Sequence, residues 1–92
     1  MSATLILRHP VTDYATWRNT YDSEAVSALH VKHEVTDSEV LRAPDDANDV
    51  IVIHRFASVA SAKALVGDPA LKDAMTSAGV AGAPRIDILE SV

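Results

Sequence analysis

Residues 50–57 read Val50-Ile-Val-Ile-His-Arg-Phe-Ala57, a β-branched run bounded upstream by turn formers and downstream by Ser58. Such a run specifies a strand. Successive strand side chains point to opposite faces, so Val50, Val52, His54 and Phe56 fall on one side and Ile51, Ile53 and Arg55 on the other. The upstream segment Ala43-Pro-Asp-Asp-Ala-Asn-Asp49 is dense in turn residues and joins this strand as a hairpin to residues 31–42. There Val31, His33 and Val35 alternate with Lys32, Glu34 and Thr36. The alternation loses step near Ser38, since Val40 follows where Glu39 or Leu41 would keep it, and a bulge is expected there.

Outward from the hairpin, residues 3–9, Ala-Thr-Leu-Ile-Leu-Arg-His, form a further β-rich run that ends at Pro10, which cannot donate to a ladder. Thr12 or Asp13 then offers a helix cap. Tyr14, Trp17, Tyr21, Ala25 and Ala28 recur at spacings of three and four, which predicts one helix over about residues 13–29. Downstream, Ser58 caps a second helix through Val59, Ala62, Leu65 and Val66. Gly67-Asp68-Pro69 breaks it with a C-cap glycine, a fresh N-cap and a proline in the first turn. The second piece, about residues 69–78, places Leu71, Ala74, Met75 and Ala78 on one face and stops at Gly79. Residues 85–90 form a last strand, with Ile86 and Ile88 alternating with Asp87 and Leu89. The order is βαββαβ. Two right-handed crossovers sharing one sheet predict an α+β, ferredoxin-like fold: a four-stranded antiparallel sheet in the order 4-1-3-2 with the helices on one face.

A chain of 92 residues is expected to form a single domain over residues 1–92 and leaves a large share of its surface exposed. Apolar residues make up 48% of it but aromatics only 4%, so the core must be built from Val, Ile, Leu and Ala. With no cysteine, disulfides and thiolate chemistry are excluded. A net charge of −5 argues against nucleic acid as a partner. No apolar run approaches the roughly 18 residues of a membrane span, and residues 1–8 do not read as a secretory leader, so no membrane partner and a cytoplasmic location are expected. No internal repeat is present. There is no GxSxG elbow, GxGxxG or P-loop, which sets aside those hydrolase and nucleotide-binding classes. The acidic run Asp45-Asp46-Ala-Asn-Asp49 lacks the spacing and terminal Glu of an EF-hand and reads as a solvated turn.

The candidate site rests on His9, His33 and His54, each on a separate predicted strand with apolar neighbours at i±2. With strands one and three read as parallel neighbours and strand two antiparallel beside strand three, all three imidazoles share one end and one face of the sheet. An imidazole titrates near neutrality and serves as base, acid or ligand. Three readings stay open: independent hydrogen-bonded histidines, a general base with His54 the first choice and His9 the second, and a metal centre. No compact ligand motif such as HxxxH or HxH is present, so no metal or cofactor is assigned. His30 is expected to be exposed ahead of strand two. Tyr14 near the cluster, Trp17 and Tyr21 along the pocket, and Phe56 on the same sheet face are candidates to bind a small aromatic ligand, or else fill the core.

The opposite sheet face combines Thr4, Ile6 and Arg8, Ile51, Ile53 and Arg55, Lys32, Glu34 and Thr36, and Arg85, Asp87 and Leu89. Its apolar centre has no element left in the chain to cover it, and apolar patches of several hundred Å² usually mark interfaces. A homodimer through this face is expected. Arg8 and Arg55 are expected to pair with Glu34, Asp87 or the second copy.

The run Asp13-Tyr-Ala-Thr-Trp17, the strand Val50 to Phe56 with Ala-Ser-Val-Ala-Ser-Ala-Lys-Ala-Leu65 after it, and Asp68-Pro-Ala-Leu-Lys-Asp-Ala-Met75 followed by Ala78-Gly-Val80 and Gly82-Ala-Pro84 carry a resemblance. Together they resemble small proteins of the dimeric α+β barrel superfamily, and within it the antibiotic-biosynthesis-monooxygenase-like group. The resemblance covers nearly the whole chain through turn and packing residues. It implies two sheets closing into a barrel across a dimer, with one pocket per protomer between sheet and helices. Relatives it implies include cofactor-free monooxygenases acting on anthrone or quinol rings, haem-degrading enzymes and lactone isomerases. The Asn, Trp and His set of the haem-degrading members has no placement here, because Trp17 and Asn19 lie on helix one and Asn48 in the hairpin turn. No catalytic residue is carried over. The expected function is a cofactor-independent monooxygenase-like activity on a small aromatic or polyketide-type compound; the alternative is a non-catalytic small-molecule-binding or regulatory homodimer.

Overall fold

The computed structural model describes residues 2–92; Met1, the first residue of the expected domain, lies outside them. The elements are β1 (Ala3–Pro10), α1 (Tyr14–Tyr21), α2 (Glu24–Lys32), β2 (Val35–Ala43), β3 (Asp46–Phe56), α3 (Val59–Val66), α4 (Pro69–Ser77) and β4 (Arg85–Glu90). The strands make one sheet in the order β2-β3-β1-β4, and every neighbouring pair is antiparallel. This is the predicted ferredoxin-like sheet and strand order. The parallel reading of strands one and three is corrected: β1 pairs β3 antiparallel, with Leu5 opposite His54 and His9 opposite Val50. His9 therefore lies near the end of β1 and His54 beside its middle.

The predicted first helix is two helices. Asp13 caps α1, its carboxylate accepting from the Thr16 N–H at 3.0 Å, while Ser23 accepts from the Val26 N–H and starts α2 afresh. Asp22 ends α1 and accepts from the Arg18 guanidinium at 3.0 Å. A cap within a periodic stripe ends one helix and starts another, because its side chain replaces a backbone partner. The second axis turns a different face inward: Val26 and Leu29 are buried, whereas Ala25 and Ala28 are exposed.

Helix α2 then runs through Lys32, over residues that alternate like a strand. Val31 is 79% exposed and His33 is the C-cap, so the Val31-His33-Val35 alternation spans the end of α2, its cap and the first residue of β2, and not a pleat. Glu34 takes φ +60°, the left-handed conformation in which helices commonly terminate. Strand β2 begins at Val35. Its bulge falls between Val35 and Asp37, at Thr36 rather than near Ser38, and places Ser38, Val40 and Arg42 opposite His54, Val52 and Val50. The acidic turn contracts to Pro44-Asp45, because Asp46–Asp49 already belong to β3.

The helices pack on the face of Leu5, Leu7, Val50, Val52 and Phe56, meeting it with Trp17, Ala62, Leu65 and Ala78. On the other face Ile6, Ile51 and Ile53 are half-buried, and Leu41 and Leu89 are 43% and 51% exposed. Its rim is laced by ion pairs: Arg8 with Asp49 at 2.6 Å, Arg55 with Asp37 at 3.4 Å and Arg85 with Asp87 at 3.1 Å. Arg8 and Arg55 thus pair within the sheet and not with Glu34 or Asp87.

After α4 the chain turns at Gly79, φ +80°, whose carbonyl accepts from the Thr12 N–H at 3.0 Å; Val80 then bridges to Val11. A Cβ here would lie 2.6 Å from the Thr12 Oγ1. Gly79→Ala therefore combines left-handed strain with a clash, and its unfolding free energy should fall by roughly 1–3 kcal/mol in urea titration. Unchanged stability would mean that this turn is free to rearrange.

Candidate functional site

The pocket lies between the sheet and the α1, α2 and α4 helices. His9 and His54 project from β1 and β3 onto the helix face, each 3% exposed. Trp17 and Tyr21, one turn apart on α1, lie over them. Trp17 stacks on Tyr21 with ring centres 4.9 Å apart and meets His9 at 5.9 Å, while Tyr21 stacks on His54 at 6.2 Å. The fifth member is His30, from the last turn of α2, whose ring meets His54 edge to face at 4.6 Å and Tyr21 at 5.5 Å. These five rings, with Leu7, Val26, Val52, Leu71 and Met75, line a cavity of about 50 Å³.

Of the sequence candidates, His9, His54, Trp17 and Tyr21 come together here. Tyr14 and Phe56 are not lining residues. Tyr14 lies at the start of α1 under the Arg42 guanidinium, 4.2 Å from its ring centre, and Phe56 is 1% exposed in the core. His33 is elsewhere: its Nε2 lies 2.7 Å from the Asp68 carboxylate, which also takes Lys32 at 2.9 Å. Asp68 caps α4, so this triad ties the end of α2 to the start of α4. The His33 contact, the Ala70 N–H and Lys32 together hold the Asp68 carboxyl well below the usual carboxylate range. His30 takes the place that the strand reading reserved for His33. Its signal was in the sequence, at i+9 from Tyr21, but only a helix running past residue 29 turns it inward.

The Tyr21 hydroxyl lies 3.1 Å from the His54 Nε2. Nδ1 of His54 and Nδ1 of His9 are buried with no partner among the described residues. Unpartnered buried polar atoms are uncommon in native proteins and draw attention to a site. Burial pushes the His54 pKa down to about 4, with the nearby His30 adding to the effect. Burial also lowers His9, with Asp49 acting in the opposite sense, and it lowers His30. The Tyr21 phenol is raised by burial, with Ser38 acting in the opposite sense. At neutral pH the pocket is therefore an apolar chamber holding neutral imidazoles. Among the described residues no group of three or more His, Asp or Glu side chains is arranged to hold a metal ion, and no helix is long and apolar enough to cross a membrane.

This architecture recurs in solved structures. A cofactor-independent oxygenase from Streptomyces nogalater, SnoaB, superposes with a TM-score of 0.76 at 14% identity, covering 99% of this chain and 93% of that one. The chain has the fold of the antibiotic-biosynthesis-monooxygenase-like proteins. A Caulobacter crescentus protein provisionally named an antibiotic biosynthesis monooxygenase matches at TM-score 0.66 and 19% identity, over 99% of this chain and 90% of that one. A dimeric protein of unknown function with a ferredoxin-like fold from Bacteroides fragilis matches at 0.69 and 17%, over 98% and 96%. No protein-family model matches the sequence, and no curated protein does.

The buried imidazoles carry a pH signature. In the unfolded chain His54 takes up a proton near its ordinary 6.5, whereas in the folded protein it resists until about 4. Stability is thus fully present above about pH 6.5 and is lost as pH falls through 4, on the order of 3 kcal/mol for His54. Urea titrations should show this loss between pH 6.5 and 4, above the window of the carboxylates, and His54→Gln should flatten it. An equal slope in that variant would assign the loss to other groups.

Proposed function

We propose that this chain, as a single domain over residues 1–92, is a cofactor-independent monooxygenase-like enzyme acting on a small aromatic or polyketide-type compound. His54 is its base, and Trp17, Tyr21, His30 and His9 form the walls. The carrying observation is His54 itself: buried, held at Nε2 by Tyr21 and unpartnered at Nδ1, in an apolar pocket. In the tautomer in which Nε2–H donates to the Tyr21 oxygen, Nδ1 keeps a free lone pair. A phenolic or enolisable substrate brings the proton that this lone pair accepts. The resulting anion beside the new imidazolium forms an ion pair in a low-dielectric pocket, which offsets the desolvation that depresses the free histidine. The anion is then the species that reacts with dioxygen. The neighbours named as oxygenases support this reading through their shared fold, although one fold serves many functions.

His54→Ala should fold as the parent does and lose about 10²- to 10⁴-fold in kcat on any substrate found. In the parent, kcat/KM should be level from about pH 5.5 to 8, because it reports the free enzyme's histidine. A folded variant with full activity would remove His54 as the base.

A second reading, a non-catalytic small-molecule-binding dimer, draws on the same depressed pKa, since a histidine near 4 is a weak base until a substrate anion adjoins it. Binding without turnover, insensitive to His54→Ala, would favour it.

The protein works as a homodimer through the open sheet face. Its support is the apolar centre of Ile6, Ile51, Ile53, Leu41 and Leu89, and the dimeric state named for the Bacteroides protein. A charge placed there leaves the helix-side core untouched. Ile53→Asp should convert dimer to monomer or unfolded chain by light scattering, and a persistent dimer would place the interface elsewhere.

A further inference from the structure

The inner cavity, at about 50 Å³, has room for a few water-sized groups, far short of the roughly 300–1,000 Å³ of ordinary small-molecule sites. A second cavity of about 290 Å³ lies outside it between α2 and α4. Thr20, Val26 and Ala74 line both, so a single layer of side chains divides them. Joined, the two reach the size of a ligand site.

Their chemistry differs. The inner end is apolar and aromatic with three imidazoles. The outer groove adds the hydroxyls of Thr20, Ser23 and Ser77 and the Asp73 carboxylate, with no cationic side chain among its lining residues. An anionic group there would meet Asp73 unscreened by any lining Lys or Arg; a donor would find acceptors on both helices.

We propose that the α2–α4 groove is the outer half of one binding site, taking the arm of an elongated ligand whose ring lies against Trp17, Tyr21 and His54. The arm carries hydrogen-bond donors, an ammonium or hydroxyls, and not a carboxylate or phosphate. This rests on the reading of the inner pocket as the place of a phenolic or enolisable ring. It explains how a cavity of this size serves a ring-sized substrate: Val26 and Thr20 are displaced toward the groove, which has the space to receive them.

Trp17 is the only tryptophan of the chain, so its fluorescence reports the inner end alone. The test titrates it under nitrogen with para-propylphenol, para-(aminohexyl)phenol and para-(carboxypentyl)phenol. The aminohexyl compound should bind about tenfold tighter than propylphenol, from the extra methylenes buried and the ammonium facing Asp73, and the carboxypentyl compound should gain less. Asp73 is exposed on α4, so Asp73→Lys keeps the fold; it should reverse the order of the two charged arms. Ala70→Phe, which fills the groove from α4 and leaves Trp17 the sole tryptophan, should abolish the gain from either arm. Equal affinities for the three phenols, or an arm preference that survives both substitutions, would overturn the proposal while leaving the inner pocket intact. Absence of quenching by every phenol would remove the inner pocket as a phenol site, and the groove with it.

Discussion

The antiparallel register of β1 and β3 is the constraint on which the remaining structure depends. With Leu5 opposite His54, Leu7 opposite Val52 and His9 opposite Val50, each apolar residue of one strand faces an apolar or imidazole partner of the other. A slip by one residue would turn one strand's inward set to the open face and bring either Ile6 and Arg8 or Ile51, Ile53 and Arg55 under the helices. The buried guanidinium groups would have no partners there. Register, core and pocket are therefore one choice, and the two inward histidines come with it.

Those histidines are the least hydrophobic part of the core, and the pocket exists because of them. A Leu at position 54 would pack against Tyr21 and His30 without leaving an unpartnered atom. An imidazole there keeps a nitrogen with no partner among the described residues and sheds its charge through burial. The aromatic row of Trp17, Tyr21 and His30 covers the imidazoles without neutralising them by a carboxylate. The His33–Asp68–Lys32 triad stands apart from this chamber and joins the two helices that form its outer wall.

Much of the fold is legible because β-rich runs bounded by turn formers specify strands. Val50 to Phe56 follows a turn-rich segment and ends at Ser58, Ala3 to His9 ends at Pro10, and the ferredoxin-like order follows from the sequence of elements. The rest failed where a local signal was ambiguous between periods. Residues 31–35 alternate apolar and polar over too short a span to separate a pleat from the end of a helix, so the pattern puts His33 on a strand and His30 outside the site. Ser23 is a cap hidden inside a periodic stripe. Strand direction is not written in any residue, and reading β1 and β3 as parallel brought His9 and His54 to one end. The site survived in part because sheet face, unlike direction, follows from alternation: His9 and His54 stayed on the helix side in either case. Phe56 shares that side but is fully buried in the core, a distinction carried only by tertiary packing.

Helix α4 has no buried residue of its own; Leu71, Ala74 and Met75 are half-covered, and the capping aspartate holds only its first turn. The chamber is thus framed by a stiff sheet on one side and a lightly anchored helix on the other. Segments with few buried contacts open locally at low free energy. A wall of that kind tolerates guests of different outline, so shape should discriminate poorly among ring systems and the fixed imidazoles on the strands should do most of the selecting. In evolutionary terms the α4 side of the lining can change without disturbing the strands that carry the imidazoles.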